Sequence, residues 1–352
     1  MRRCVRMSGC VRELQCRFGI YRKTSNSWER QSVATPIAEE LEYRMPDLLS
    51  LLATLVFTLY VFAFGACFGS FLNVIVWRIP RGLPIAFARS HCPHCNTMIP
   101  GSDNIPIVGW LRLRGRCRFC RQQISMRYLV VETGVALLFA GLFLLIVVSQ
   151  GATLPQHGQA SQFTNWLTDF PNGWTLQVFL HQCVLGYALL AILLMDQERS
   201  ETPWSFSLFM AALHLGLVCW NPAINQLDQL TQRPTLGSPL ALASLSASLN
   251  YSLSGGVLAL VLGGLARVLK LPCRVRNSLQ ALLLLGVFLG PIVLAWAALI
   301  AGTAQGMQWL AGKLRARPSG PVLGLALHLF CAWLIILCSW RWWPRAEWPP
   351  WG

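Results

Sequence analysis

Apolar runs long enough to cross a lipid bilayer dominate this chain and limit its fold before any other feature is weighed. They lie near residues 49–76, 128–149, 175–195, 205–220, 252–268, 279–310 and 321–340. A hydrocarbon core of roughly 30 Å takes about 20 helical residues, a length that the first three runs and the last one meet. The run 279–310 contains Gly286, Gly290, Pro291, Gly302 and Gly306, so it reads as two short helices with a turn near Pro291. The expected fold class is an all-α polytopic membrane protein with about eight transmembrane helices. Composition agrees: 54% of the residues are hydrophobic, the mean hydropathy is +0.48 and only 12% are charged, against about 25% charged in a soluble domain.

The formal net charge of +15 would suit a nucleic-acid partner, but the arginines flank apolar segments and follow the bias of membrane loops. No nucleic acid is expected, and membrane lipid is the surrounding partner. The stretch 78–127 carries Arg78, Arg81, Arg89, Arg112, Arg114, Arg116, Arg118, Arg121 and Arg127 against the single acid Asp103, which predicts that it faces the cytoplasm. Alternation then places segments near Asp196, 267–278 and 311–319 on the same side, with 150–174 and 221–250 outside. Trp342, Trp343, Trp348 and Trp351 read either as an outer interfacial belt or as packing residues.

Four cysteines in that basic stretch form two pairs, Cys92/Cys95 and Cys117/Cys120. Two thiolates separated by two residues grip one ion without strain, and two such pairs complete a tetrahedral sulfur site, the chemistry of structural Zn2+. Residues 96–116 between the pairs lie just outside the usual ribbon spacing of about 15–20 residues. Pro93 and Gly115 suit the tight turns such a site needs. His91 and His94 flank the first pair, but four thiolates already fill the site, so both are expected in solvent. Of the remaining cysteines, Cys183, Cys219, Cys331 and Cys338 lie in apolar runs and are expected as small buried hydrophobes.

The expected organisation is a basic extension over 1–45, a first transmembrane helix over 46–77, a four-cysteine domain over 78–127 and a multi-helix membrane domain over 128–352. The first 44 residues carry nine basic and five acidic side chains and lack the compact apolar core of a signal peptide. Met45, just before Pro46 at the head of the first run, is a plausible start of translation.

The segments Gly69-Ser-Phe-Leu-Asn-Val-Ile-Val-Trp-Arg-Ile-Pro80, Arg89-Ser-His-Cys-Pro-His-Cys95, Asp103-Asn-Ile-Pro106, Trp110-Leu-Arg-Leu-Arg-Gly-Arg-Cys117 and Ile124-Ser-Met-Arg-Tyr128 closely resemble the type IV prepilin peptidases. The resemblance is dense over residues 65–135. It implies a bacterial inner-membrane aspartic endopeptidase that cleaves the leader of type IV prepilins and type II secretion pseudopilins. In bifunctional members a methyl group from S-adenosylmethionine is then added to the new N-terminus.

That family uses two aspartates at cytoplasmic helix ends, because two carboxylates sharing a proton can activate water. Asp196, followed by Pro203, matches the first motif, although Trp204 replaces an acid there. At the second position the alignment places Ser278 where the aspartate belongs, Asn277 at the preceding glycine and Gln280 at the lysine. No Asp or Glu occurs between Asp228 and Glu347, and Glu132, Glu198 and Glu201 are the remaining acids on the expected cytoplasmic side. Three readings stay open: a peptidase with a substitute acid, a relative that keeps prepilin docking or methyl transfer without proteolysis, and a zinc-binding membrane adaptor or scaffold.

Overall fold

A computed structural model describes residues 20–23, 28–31, 48–85, 90–149, 173–220, 239–268, 275–314 and 324–339. The closing tryptophans, Met45, Arg89 and most of the two expected outer loops lie outside these residues. The chain divides into two units, Met1–Leu52 and Ala53–Gly352. In the first, strands β1 (Ile20–Lys23) and β2 (Trp28–Gln31) pair antiparallel, with Ile20 opposite Gln31 and Lys23 opposite Trp28. This short pairing lies ahead of the membrane helices, and those bear out the all-helical expectation. Ile20, Tyr21 and Trp28 favour strands, and the intervening Thr24-Ser-Asn-Ser27 supplies turn-forming residue types.

The remaining elements are helical. They are α1 (Leu48–Arg78), α2 (Val108–Arg112), α3 (Met126–Leu142, continued by a π-helical stretch Phe143–Val148), α4 (Gly173–Gln197), α5 (Trp204–Trp220), α6 (Pro239–Val268), α7 (Val275–Leu314) and α8 (Leu325–Ser339). Five of the helical stretches, Ser50–Arg81, Met126–Val148, Thr175–Gln197, Leu245–Val268 and Arg276–Gln308, are long and apolar enough to cross a membrane. Helices α5 and α8 are shorter. The chain is a multi-pass membrane protein.

The turn expected near Pro291 is present. Gly290 interrupts α7 with φ 77°, a left-handed conformation that costs an L side chain dearly and glycine little. A β-carbon built on Gly286 would lie 3.1 Å from Leu294 Cδ2, whereas a straight helix separates those residues by about 12 Å along its axis. The chain therefore bends sharply at Gly290–Pro291. Beside this turn α6 and α7 touch backbone to backbone: a β-carbon on Gly255 would strike the Gly286 carbonyl, and one on Gly286 the Gly255 carbonyl. Lipid gives apolar helices no hydrophobic drive toward each other, so close backbone approach and van der Waals contact carry the association.

Helix α4 is the centre of the bundle, with Leu185, Ala188, Ala191, Ile192 and Met195 fully buried. Phe288 of α7 and Trp333 of α8 fill the space around it. Several polar side chains inside the bundle are paired. His181 Nε2 lies 2.9 Å from His214 Nδ1, and His214 Nε2 lies 3.2 Å from Ser252 Oγ, which joins α4, α5 and α6. Trp333 Nε1 donates to Gln182 Oε1 at 3.2 Å. Such bonds act as glue where water is absent. Cys183 is buried as expected, but Cys219, Cys331 and Cys338 are exposed on helix surfaces. The expectation of burial fails for these three because a face toward lipid suits a small apolar side chain as well as the interior does.

Candidate functional site

The four-cysteine loop is built from one turn used twice. In the first copy Cys92 N donates to Thr97 O (3.0 Å) and Asn96 N to Cys92 O (2.8 Å), with a bridge between His91 and Met98. In the second, Cys117 N donates to Gln122 O (2.8 Å) and Arg121 N to Cys117 O (3.1 Å), with a bridge between Arg116 and Gln123. The residue after each pair, Asn96 or Arg121, takes a positive φ of 55° or 60°, which points the backbone back over its own thiols. Asparagine tolerates that conformation far better than arginine.

The four sulfurs lie within 4.8 Å of one another. Cys92 Sγ and Cys120 Sγ are 3.8 Å apart, the edge of about 3.8 Å that a tetrahedron with Zn–S bonds of about 2.3 Å requires. Cys92 and Cys117 are buried, Cys95 and Cys120 half-buried. Hydrogen bonds from Thr97 lower the Cys95 thiol to about 6. The donor set therefore fits a metal ion. His91 and His94 are exposed, as expected.

Two further contacts brace the loop. The buried Asp103 carboxylate takes Arg118 Nε at 2.6 Å and Arg118 Nη2 at 2.5 Å, and also pairs with Arg112. Arg118 chiefly, then Arg112, holds this carboxyl down at about 2. Because Arg118 follows Cys117, the ion pair fixes the second cysteine turn. Glu132 on α3 accepts from Ile107 N at 2.6 Å, which fastens the loop to the membrane helix.

The second cluster lies where α4 ends. Asp196 is 9% exposed, and its Oδ1 accepts from Asn277 Nδ2 at 3.2 Å. Its Oδ2 occupies the place that a β-carbon on Gly324 would need. Gly324 directly precedes α8, so the carboxylate sits at the positive end of that helix. The structure thus brings Asp196 together with the second motif through Asn277, while Ser278, the next residue of α7, is buried at 3% exposure.

Asn277 and Gln280 do more than stand at motif positions. Asn277 Oδ1 accepts from Thr202 N (2.9 Å) and its Nδ2 also donates to Ser200 O (2.9 Å). Gln280 Nε2 donates to Thr202 O (2.9 Å), and its Oε1 accepts from Ser207 Oγ (2.7 Å). The two amides latch the 200–202 loop to the start of α7. The three other acids are engaged elsewhere: Glu132 with Ile107, Glu198 with Arg127 and with Arg81 at 3.9 Å, and Glu201 with Arg276. Sequence reasoning placed Asn277 and Gln280 without foreseeing the latch, since only the fold reveals that Thr202 lies between them. It also passed over the His181–His214–Ser252 chain, for which histidines in apolar runs were the available signal.

Residues 63–146 match the model of the Bacterial Peptidase A24 N-terminal domain, a segment running from α1 through the four-cysteine loop into α3. Over this segment the resemblance to the type IV prepilin peptidases is borne out. A prepilin leader peptidase/N-methyltransferase of Myxococcus xanthus is 46% identical over 83 residues, 24% of this chain and 25% of the relative. A type 4 prepilin-like proteins leader peptide-processing enzyme of Escherichia coli is 43% identical over 93 residues, 21% of this chain and 35% of the relative. A longer match, to a prepilin leader peptidase/N-methyltransferase of Stutzerimonas stutzeri, is 28% identical over 187 residues, 47% of this chain and 55% of the relative. The chain thus spans between a quarter and about half of these relatives. No solved structure matches the chain.

Proposed function

We propose that this chain is a prepilin peptidase-like protein of the bacterial inner membrane that receives type IV prepilin or pseudopilin leaders, with aspartyl proteolysis impaired or lost. The observation that carries this reading is the amide at Asp196: the neighbour facing the carboxylate is Asn277, and Ser278 stands beside it. An amide cannot give or take a proton as a carboxyl does, so Asn277 cannot divide the acid and base roles with Asp196. A mature catalytic pair would need a second carboxylate at this point, and Glu132, Glu198 and Glu201 are each bonded to other groups.

The reading includes eight membrane crossings, counting α1, α3, α4, α5, α6, both arms of α7 and α8. It also holds the four-cysteine loop in the cytoplasm with one structural Zn2+ on Cys92, Cys95, Cys117 and Cys120. The arginine bias of 78–127 supports that side. When bound, zinc would supply folding energy to a small polar loop rather than chemistry, because four thiolates leave no open position. The names of relatives add methyl transfer, for which S-adenosylmethionine is the proposed donor. The second reading is a non-proteolytic zinc-binding scaffold of a pilus or type II secretion system, and the amide latch favours it where proteolysis fails.

Co-expression with a prepilin in a host lacking its own peptidase, read by intact mass, tests the proposal. The expected product is the uncleaved prepilin, retained with this chain on co-purification. Prepilin that neither loses its leader nor binds would defeat both readings.

A further inference from the structure

The strongest feature left over is a cavity of about 470 Å3 at the foot of α3, lined among others by Trp110, Arg114, Arg116, Ile124 and Met126. We propose that it binds the phosphate of an anionic phospholipid. The charge is surplus. Elsewhere among the described residues Arg112 and Arg118 neutralise Asp103, Arg81 and Arg127 face Glu198, and Arg276 faces Glu201. Arg114 and Arg116 are exposed and form no ion pair among the described residues. Guanidinium groups match the geometry of phosphate oxygens and bind them in forked pairs.

The position selects lipid. Met126 is the first residue of α3, in a stretch long and apolar enough to cross a membrane, so the cavity opens where hydrocarbon gives way to headgroups. Its other walls suit that boundary. The Trp110 indole is held by Nε1 donating to Ile124 O at 3.3 Å, Gly115 packs against its ring, and Met126 is 61% exposed. A tryptophan beside two arginines and an exposed methionine offers an apolar wall for the glycerol and first methylenes and a cationic wall for the phosphate. The same two charges repel a basic peptide.

The full chain in nanodiscs, labelled with photoactivatable phosphatidylglycerol or phosphatidylcholine and mapped by peptide mass spectrometry, tests the site. Phosphatidylglycerol adducts should concentrate on residues 110–126. In the Arg114→Gln/Arg116→Gln variant they should fall about twenty-five-fold, at about fivefold for each arginine near a lipid surface. Excess inorganic phosphate should leave them unchanged. The Arg114→Lys/Arg116→Lys variant, which keeps the charge and loses the fork, should label between the unmodified chain and the glutamine variant, and serves where the glutamine variant loses its metal. Equal labelling by phosphatidylcholine, equal labelling of the glutamine variant, or displacement by inorganic phosphate would each overturn the proposal.

Discussion

The four-cysteine loop and the Asp196 cluster are held together by similar means and end in opposite states. In the loop every member of the set is present: four sulfurs within 4.8 Å, each pair set by the same turn. At Asp196 the scaffold is present, and on the proposed reading the proton-sharing pair is not, because the amide of Asn277 meets the carboxylate. The loop's ligands come from two short motifs, each complete within four residues. The Asp196 cluster joins residues 81 positions apart, so a substitution at one helix end removes the pair while the other end keeps its shape. Hydrogen bonds from Asn277 and Gln280 replace what a proton-sharing pair would have contributed to cohesion.

The largest effect is expected in the loop. Replacing Cys117 with serine should weaken metal binding on the order of a thousandfold or more and unfold the loop, since binding energy there is folding energy. Elemental analysis of the purified full chain should give about one zinc per chain, and the variant close to none. A loop that stays folded without metal would erase the contrast between the two regions.

At the other region the latch should matter to stability rather than to metal. Asn277→Ala strands the Thr202 N–H and the Ser200 carbonyl in a buried setting, a cost of about 2–3 kcal/mol. Thermal unfolding in detergent checks the sum, and hydrogen exchange at 200–202 checks the place. Zinc content should be unchanged, which sharpens the claim that the two regions are independent.

Acid should separate the regions too. The Asp103 carboxyl is held from its ordinary 3.8 down to about 2, by Arg118 first and then Arg112. A depressed carboxyl contributes stability that is fully present above pH 3.8 and is lost as the pH falls toward 2. Protons displace the metal before that window is reached, so the metal-loaded chain followed by circular dichroism should lose the loop's structure above pH 3.8, and the ion pair should be read at neutral pH, where Asp103→Asn should lower the denaturant midpoint of the metal-loaded chain. The smallest effect concerns the duplicated turn. Arg121 at φ 60° is strained where Asn96 is not, so Arg121→Asn should stabilise the loop by about 1 kcal/mol or less, and Asn96→Arg should cost a similar amount. Denaturant unfolding of the metal-loaded chain measures both.

The sequence revealed what is local or periodic. Long apolar runs gave the helices, and the turn at Gly290–Pro291 followed from two residues whose backbone chemistry allows little else. The cysteine spacing disclosed the donor set without any knowledge of the fold. The β1–β2 hairpin was missed because eight residues in a basic, mixed segment carry no strong period. The latch was missed for a different reason: Asn277 and Gln280 look like ordinary polar residues at a helix start, and their partners Ser200, Thr202 and Ser207 lie over 70 residues away. The outward cysteines were misjudged because the rule that places cysteine inside is drawn from proteins surrounded by water.

The central claim is that the Asp196 end lacks only its second carboxylate. Intact-mass analysis of a co-expressed prepilin, in a host without its own peptidase, tests it with the unmodified chain, Asn277→Asp and Ser278→Asp, each with and without Asp196→Asn. The unmodified chain should leave the leader on. At least one of the two acid variants should remove it, and Asp196→Asn should abolish that gain, since loss of one member of a cooperating pair removes several powers of ten in rate. Efficient leader removal by the unmodified chain, or cleavage that survives Asp196→Asn, would contradict the account.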